Sequence, residues 1–288
     1  MIEQITGRTG LICLLGSPVE HSISPAMHNE AFGLLGLDYV YLAFDVGEQT
    51  LPQAVEGLKA MGARGWNLTM PDKTRMCELV DELSPAAKIV GAVNTVVNEN
   101  GHLVGHTTDG SGYMAMLQDA GIDVIGKRLV MAGAGGAARA IAVQAALDGV
   151  EELVIFNRSV DKARRIADDL NAQTQCRARA FSLSDETELK KEMAGAALFV
   201  NATKIGMAPT ADQMVLPDRR LMEGCPVVSD IIYEPRKTRL LAEAEACGCQ
   251  TINGMGMLLW QGAHAFEYWT GAQMPVDVIK ERIFNGGN

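Results

Sequence analysis

Residues Leu129-Val130-Met131-Ala132 run without interruption into Gly133-Ala134-Gly135-Gly136-Ala137-Ala138 and then into the alanine-rich stretch 139–148. A continuous apolar tetrad that stops at glycine reads as a strand buried on both faces, and the alanine-rich run reads as a helix. The junction fits G-x-G-x-x-A. Gly133 supplies the tight turn, Gly135 lets backbone approach a pyrophosphate closely, and Ala138 allows close helix–strand packing. Few folds accommodate such a junction. It predicts a βα unit of a doubly wound parallel sheet, with Gly133, Ala134, Gly135, Gly136 and Ala137 as a dinucleotide-binding turn.

The next strand, 152–156, ends about twenty residues beyond the glycines, where NAD-specific folds of this kind carry an acid. This chain has Asn157-Arg158-Ser159 there. A guanidinium and a hydroxyl suit a ribose 2′-phosphate, so NADP is favoured over NAD. Asp161, two residues past Ser159, leaves NAD open. Alternation then continues with a helix at 161–170, a strand near 176–181, a helix at 186–194 and strands at 198–201 and 227–232. A helix at 238–247 and a strand at 250–252 complete the unit.

The first part of the chain alternates in the same way. Leu11–Leu15 is an apolar run closed by Gly16. Ser24-Pro25 reads as an N-cap and first helical residue, opening a helix to about Gly36. Strands are expected at 39–44 and 65–69, and helices at 50–61 and from Lys73 to about Leu83. Ser84-Pro85 opens a further short helix. Asn100-Gly101, between two short alternating runs, signals a hairpin. Gly105-His106-Thr107-Thr108-Asp109-Gly110 precedes a helix to about Gly121. The pattern predicts a two-domain α/β protein. Residues 1–110 form a mostly parallel α/β domain. Residues 111–253 form a Rossmann dinucleotide-binding domain, with the active-site cleft expected between the two.

Several polar residues break this apolar framework. Lys73 follows a strand and the Pro71 turn, where it is either a solvated lysine or an ammonium at the rim of the sheet. Asp109 is either a helix cap or a reactive carboxylate. Ser24 is accounted for by capping, whereas Ser22 places a second hydroxyl where free N–H groups favour an anion. Gln261 interrupts an apolar face as either a core amide or a ligand contact. With Thr69 and Asn94, these groups amount to neutral hydrogen-bonders plus one ammonium and one carboxylate. Such a set suits a compact polyol carboxylate, with Lys73 moving a proton at its oxygen and Asp109 orienting the ammonium.

Composition narrows the partners. A net charge of −10 over 288 residues argues against nucleic acid, since phosphate backbones need a basic surface. No apolar run is long enough to span a bilayer, and Leu11–Leu15 is too short for a signal-peptide core. Six scattered cysteines offer no paired metal-ligand spacing and read as reduced thiols of a cytoplasmic protein. No metal is expected.

Taken together, Gly16-Ser17-Pro18, His21-Ser22-Ile23-Ser24-Pro25, Asn67-Leu68-Thr69-Met70-Pro71-Asp72-Lys73, Gly91-Ala92-Val93-Asn94-Thr95 and Thr108-Asp109-Gly110 resemble the shikimate/quinate dehydrogenases. The resemblance continues through Gly133–Ala138, Asn157-Arg158, Asn201-Ala202-Thr203, Tyr233 and Gly254 to Gln261, over essentially the whole chain. The closing 258–263 and 269–271 look like the branch that accepts quinate as well as shikimate. The resemblance implies that Lys73 and Asp109 form the catalytic pair, and that Ser22, Ser24, Thr69, Asn94, Tyr233 and Gln261 contact the cyclic acid. It also implies that Gly133–Ala137, Asn157, Arg158, Ser159, Lys162, Ile231 and Gly254 contact the cofactor, and that helices over 254–288 return to complete residues 1–110 as the substrate-binding domain. Two positions depart: Thr107 stands where the family usually has asparagine, and Ser159 stands where the NADP-preferring branch usually has threonine. A dehydrogenase of a related hydroxy- or amino-acid analogue and a dinucleotide sensor on the same scaffold are the rival readings. Both a homodimer and a monomer are compatible with the sequence.

Overall fold

The computed structural model describes residues 5–285 and divides into two compact units. Of the described residues, the first comprises 5–112 with 259–285, and the second 113–258.

The first unit carries β1 (Gly10–Gly16), α1 (Ser24–Leu35), β2 (Tyr39–Asp45), α2 (Leu51–Ala60), β3 (Gly65–Leu68), β4 (Glu82–Leu83), α3 (Pro85–Val90), β5 (Thr95–Glu99) and β6 (His102–His106). The strands form one sheet in the order β2-β1-β3-β5-β6-β4. β1 pairs parallel with β2 and β3, and β4 with β6. β5 runs antiparallel to both its neighbours. The hairpin turn has Asn100 at φ 55° and Gly101 at φ 96°, the left-handed pair that an Asn-Gly turn supplies. Cys13, Leu15, Trp66, Leu68, Val96 and Leu103 bury one face of this sheet with Leu51, Val55 and Leu58 of α2.

Two local expectations need correction. Ser24 does not cap α1: it is the first helical residue, Ile23 holds the cap position, and the Ser22 hydroxyl accepts from Ser24 N at 3.3 Å. No α-helix follows Lys73, only a 3₁₀ turn over Arg75–Glu78. The chain then turns outward because Asp81 Oδ2 accepts from Leu103 N at 2.7 Å and Glu82–Leu83 pairs with β6. These longer-range bonds outweigh a local helical preference.

Two helices cross the division between units: α4 (Asp109–Asp119) and, late in the chain, a helix over Met255–Thr270. The second unit otherwise comprises β7 (Arg128–Ala132), α5 (Gly136–Asp148), β8 (Glu152–Asn157), α6 (Val160–Gln173), β9 (Arg177–Ser182), α7 (Glu186–Met193), β10 (Leu198–Asn201), β11 (Val227–Asp230), α8 (Arg239–Ala246) and β12 (Gln250–Ile252). The long closing helix is α9, and α10 (Val276–Ile279) follows it. All pairs in the second sheet are parallel, in the order β12-β11-β10-β7-β8-β9. Counted from β7, that is the doubly wound order whose crevice opens where the strand order reverses, beside β7 and β10. Far from that crevice, buried Glu192 and half-buried Glu152 share Arg179 and Arg128, which ties α7 to the starts of β7 and β9. Among the described residues no helix is long and apolar enough to cross a membrane.

Candidate active site

In the first unit the polar candidates collect at the carboxyl ends of β1 and β3. Gly16 closes β1 at φ 155°, and an added Cβ there would lie 2.3 Å from Thr69 Cγ2. Only glycine lets these two strand ends approach so closely. Ser17 N donates to the Met70 carbonyl at 3.0 Å, tying the loop that carries Ser22 to the Pro71 turn.

Beyond that turn, Lys73 Nζ donates to Asp109 Oδ2 at 2.6 Å. Asp109 is the first residue of α4, yet its carboxylate accepts from side chains rather than capping the helix: Asn94 Nδ2 donates to Oδ1 at 2.8 Å. Asn94 is itself buried. Its Oδ1 accepts from Thr108 N at 2.8 Å and from Thr95 Oγ1 at 3.0 Å. The lysine side chain remains 29 % exposed and Asp109 16 %, so the pair sits at a surface that a small molecule can reach.

Behind the pair lies a support that the sequence reading did not single out. The amide of buried Asn67, inside the otherwise apolar β3, donates to the Asn94 carbonyl and to Thr95 Oγ1, both at 3.0 Å. Its carbonyl oxygen accepts from the phenol of Tyr41 at 2.7 Å. Tyr41, Asn67 and Asn94 thus form one buried polar chain. The signal available in sequence was a lone amide in a buried strand, which must find partners. Gln261 lies on α9 against Gly112, where an added Cβ would sit 2.5 Å from Gln261 N. Thr107 joins β6 to Thr108 with its side chain partly exposed.

The second unit holds the remaining candidates. Gly133, at φ 122°, would drive a Cβ to 2.6 Å from the Ala202 carbonyl oxygen, so the turn requires glycine. α5 begins at Gly136, earlier than the expected Arg139, with Gly135 at the cap position and no side-chain cap. A Cβ at Gly135 or Gly136 would meet nothing within 4 Å. Free N–H groups facing open space are what a pyrophosphate requires, so these residues fit a dinucleotide. At the end of β8, Asn157 Nδ2 donates to the Ser159 carbonyl at 2.9 Å and shapes the loop around exposed Arg158. Arg158 has no ion-pair partner among the described residues, whereas Asp161 is paired with Arg164 at 2.9 Å. Lys162 is exposed one turn further on. Gly254 packs on Ile231, where an added Cβ would lie 2.0 Å from the Ile231 carbonyl oxygen. Tyr233 follows, 49 % exposed.

Comparison with known proteins points to one family. A shikimate dehydrogenase substrate binding domain matches residues 14–96, and a shikimate 5′-dehydrogenase C-terminal domain matches 254–284. The chain is 54 % identical over 285 residues to shikimate dehydrogenase (NADP(+)) of Listeria monocytogenes serotype 4b, covering 98 % of each. A crystal structure of shikimate 5-dehydrogenase from Listeria monocytogenes, in complex with shikimate and NAD, superposes with TM-score 0.96 at 54 % identity over 99 % of each chain. Shikimate 5-dehydrogenase from Thermus thermophilus, in complex with NADP(H) and shikimate, gives TM-score 0.83 at 36 % identity over 96 % of this chain and 100 % of that one.

Proposed function

This chain belongs to the shikimate dehydrogenase family, and from that premise we propose that it interconverts 3-dehydroshikimate and shikimate with NADP(H). The observation that carries the reading is the Lys73–Asp109 pair at 2.6 Å, with Asn94 on the other carboxylate oxygen. Lys73 is the proton donor to the substrate carbonyl oxygen during reduction and the acceptor during oxidation. Asp109 aims the ammonium and balances its charge. Asn94, Thr69 and Gln261 offer the hydroxyl groups both donors and acceptors, and a ring lacking those hydroxyls would leave these groups unpaired. Ser22 and Ser24 hold the ring carboxylate at the start of α1.

The Gly133–Ala137 turn would hold the pyrophosphate, Arg158 and Ser159 the ribose 2′-phosphate, and Asn157, Lys162, Ile231 and Gly254 the rest of the dinucleotide. Bound there, NADP(H) supplies or takes up the hydride. The domain roles follow: the first unit binds the acid and the second the cofactor. Six unpaired cysteines support a cytoplasmic location, and light scattering would separate monomer from homodimer.

The direct test assays purified protein with shikimate and with quinate, each with NADP and with NAD. Turnover of shikimate fastest with NADP is expected. Turnover of neither acid would overturn the reading. Turnover of quinate alongside shikimate would extend it to the second acid.

A further inference from the structure

Asp109 opens α4 and Gln261 lies on α9, so these two helices must keep their register if both side chains are to meet one small ring. At Gly112 the helices approach so closely that an added Cβ would lie 2.7 Å from Gln261 Cα. Beside that contact, Ser111 Oγ sits 2.8 Å from His264 Nδ1. His264 is three residues after Gln261, hence on the same face of α9. Ser111 Oγ also donates to the Thr108 carbonyl at 3.2 Å. A hydroxyl has a single proton to give, so with that proton on Thr108 the ring donates from Nδ1 and the serine oxygen accepts. Burial lowers the pKa of His264 from its ordinary value, with Glu267 opposing, which favours the neutral ring.

Thr108 is the residue that Asn94 holds, by Thr108 N to Asn94 Oδ1 at 2.8 Å and by Asn94 Nδ2 to Thr108 Oγ1 at 3.0 Å. Asn94 in turn holds Asp109. A connected path therefore runs from α9 to the acid beside Lys73: His264, Ser111, Thr108, Asn94, Asp109. Neither Ser111 nor His264 is needed to cap or terminate a helix, and glycine at 112 already permits the close packing.

We propose that Ser111 and His264 are positioning residues that fix Gln261 relative to Asp109, and so set how tightly the cyclic acid is held. The inference rests on the reading that Asp109 and Gln261 face that acid. Loosening the pair would blur Gln261 while Lys73 and Asn94 still hold Asp109. The effect should therefore fall on KM for the acid rather than on kcat.

The test compares wild type, Ser111→Ala, His264→Phe, the double variant and His264→Asn, whose amide reaches roughly the place of Nδ1. Each single loss should raise KM for shikimate ~3- to 10-fold, the range of one lost hydrogen bond, with kcat and KM for NADP within about twofold. The double variant should be no worse than either single one, because both remove the same bond. His264→Asn should recover KM to within about twofold of wild type. The proposal is overturned by an unchanged KM in both single variants, by additive losses in the double variant, or by His264→Asn being as impaired as His264→Phe. A drop in kcat and melting temperature without a change in KM for shikimate would also overturn it. Should His264→Phe fail to fold, Ser111→Ala and His264→Asn carry the comparison. A wild type without turnover would instead overturn the reading beneath it, and is seen before any variant is made.

Discussion

Asn94 Nδ2 donates to Asp109 Oδ1 at 2.8 Å, on the carboxylate oxygen that Lys73 does not take. The carboxylate is thus held from both sides and cannot swing away from the lysine. Replacing Asn94 by alanine frees one oxygen and also removes a group expected to bind a substrate hydroxyl. Asn94→Ala should therefore lower kcat and raise KM for shikimate together. A combined loss of ~10²-fold or more in kcat/KM is expected, because a charge-assisted bond and a substrate contact disappear at once. Steady-state kinetics checks it, and a pure KM effect would show that Asp109 does not depend on Asn94.

Lys73 is expected to behave differently. It is placed to move a proton rather than to grip the ring, so Lys73→Ala should lower kcat by ~10²-fold or more and change KM little. A large KM effect with kcat preserved would make the lysine a binding group. The measurement is initial-rate kinetics at saturating NADP.

Much of this was legible in sequence where the determining forces are local. The glycine turn, the Ser84 cap of α3, whose hydroxyl accepts from Ala87 N, and the Asn-Gly hairpin are each fixed by residues within a few positions of one another. What escaped was non-local. Met76, Val80 and Leu83 have helical spacing, yet the segment bends into β4 because Asp81 and Glu82–Leu83 find partners on β6. One local signal misled as well: Ser24-Pro25 has the form of a cap and first helical residue, but the hydroxyl that accepts at the start of α1 is that of Ser22, two residues earlier. Asn67 and Tyr41 gave no local sign that they support Asn94, since the bonds from Tyr41 to Asn67 and from Asn67 to Asn94 and Thr95 each span 26 to 28 residues along the chain.

Cofactor choice is open to a direct test at Arg158. This guanidinium is exposed at the end of β8 with no ion-pair partner among the described residues, as a ribose 2′-phosphate would require. Removing a charge-assisted contact to phosphate costs about 1.5–3 kcal/mol, so Arg158→Ala should raise KM for NADP roughly 10- to 100-fold. KM for NAD, which lacks that phosphate, should stay within about twofold. Equal losses with both cofactors would place the arginine on a part of the dinucleotide they share.

Asp72, next to the lysine, makes a prediction about stability. Its side chain is fully buried and neither carboxyl oxygen has a hydrogen-bond partner. Burial, and secondarily the charge of Glu48, push its pKa up from 3.8 to about 6. The folded protein therefore holds this proton more tightly than the unfolded chain does. Below pH ~4 the group is protonated in both states and costs nothing extra. As pH rises through ~4 to 6 the unfolded chain loses the proton more readily, so this group progressively destabilises the fold, and the full penalty persists above that range. Asparagine cannot ionise, so Asp72→Asn should gain on wild type between pH 4 and pH 8, by up to about 3 kcal/mol at the conversion of roughly 1.4 kcal/mol per pH unit. Urea unfolding of both proteins at the two pH values measures the change, with each protein's loss of its own unpaired polar atoms cancelling in the comparison. A stability difference that is the same at pH 4 and pH 8 would show that Asp72 ionises in the fold without penalty.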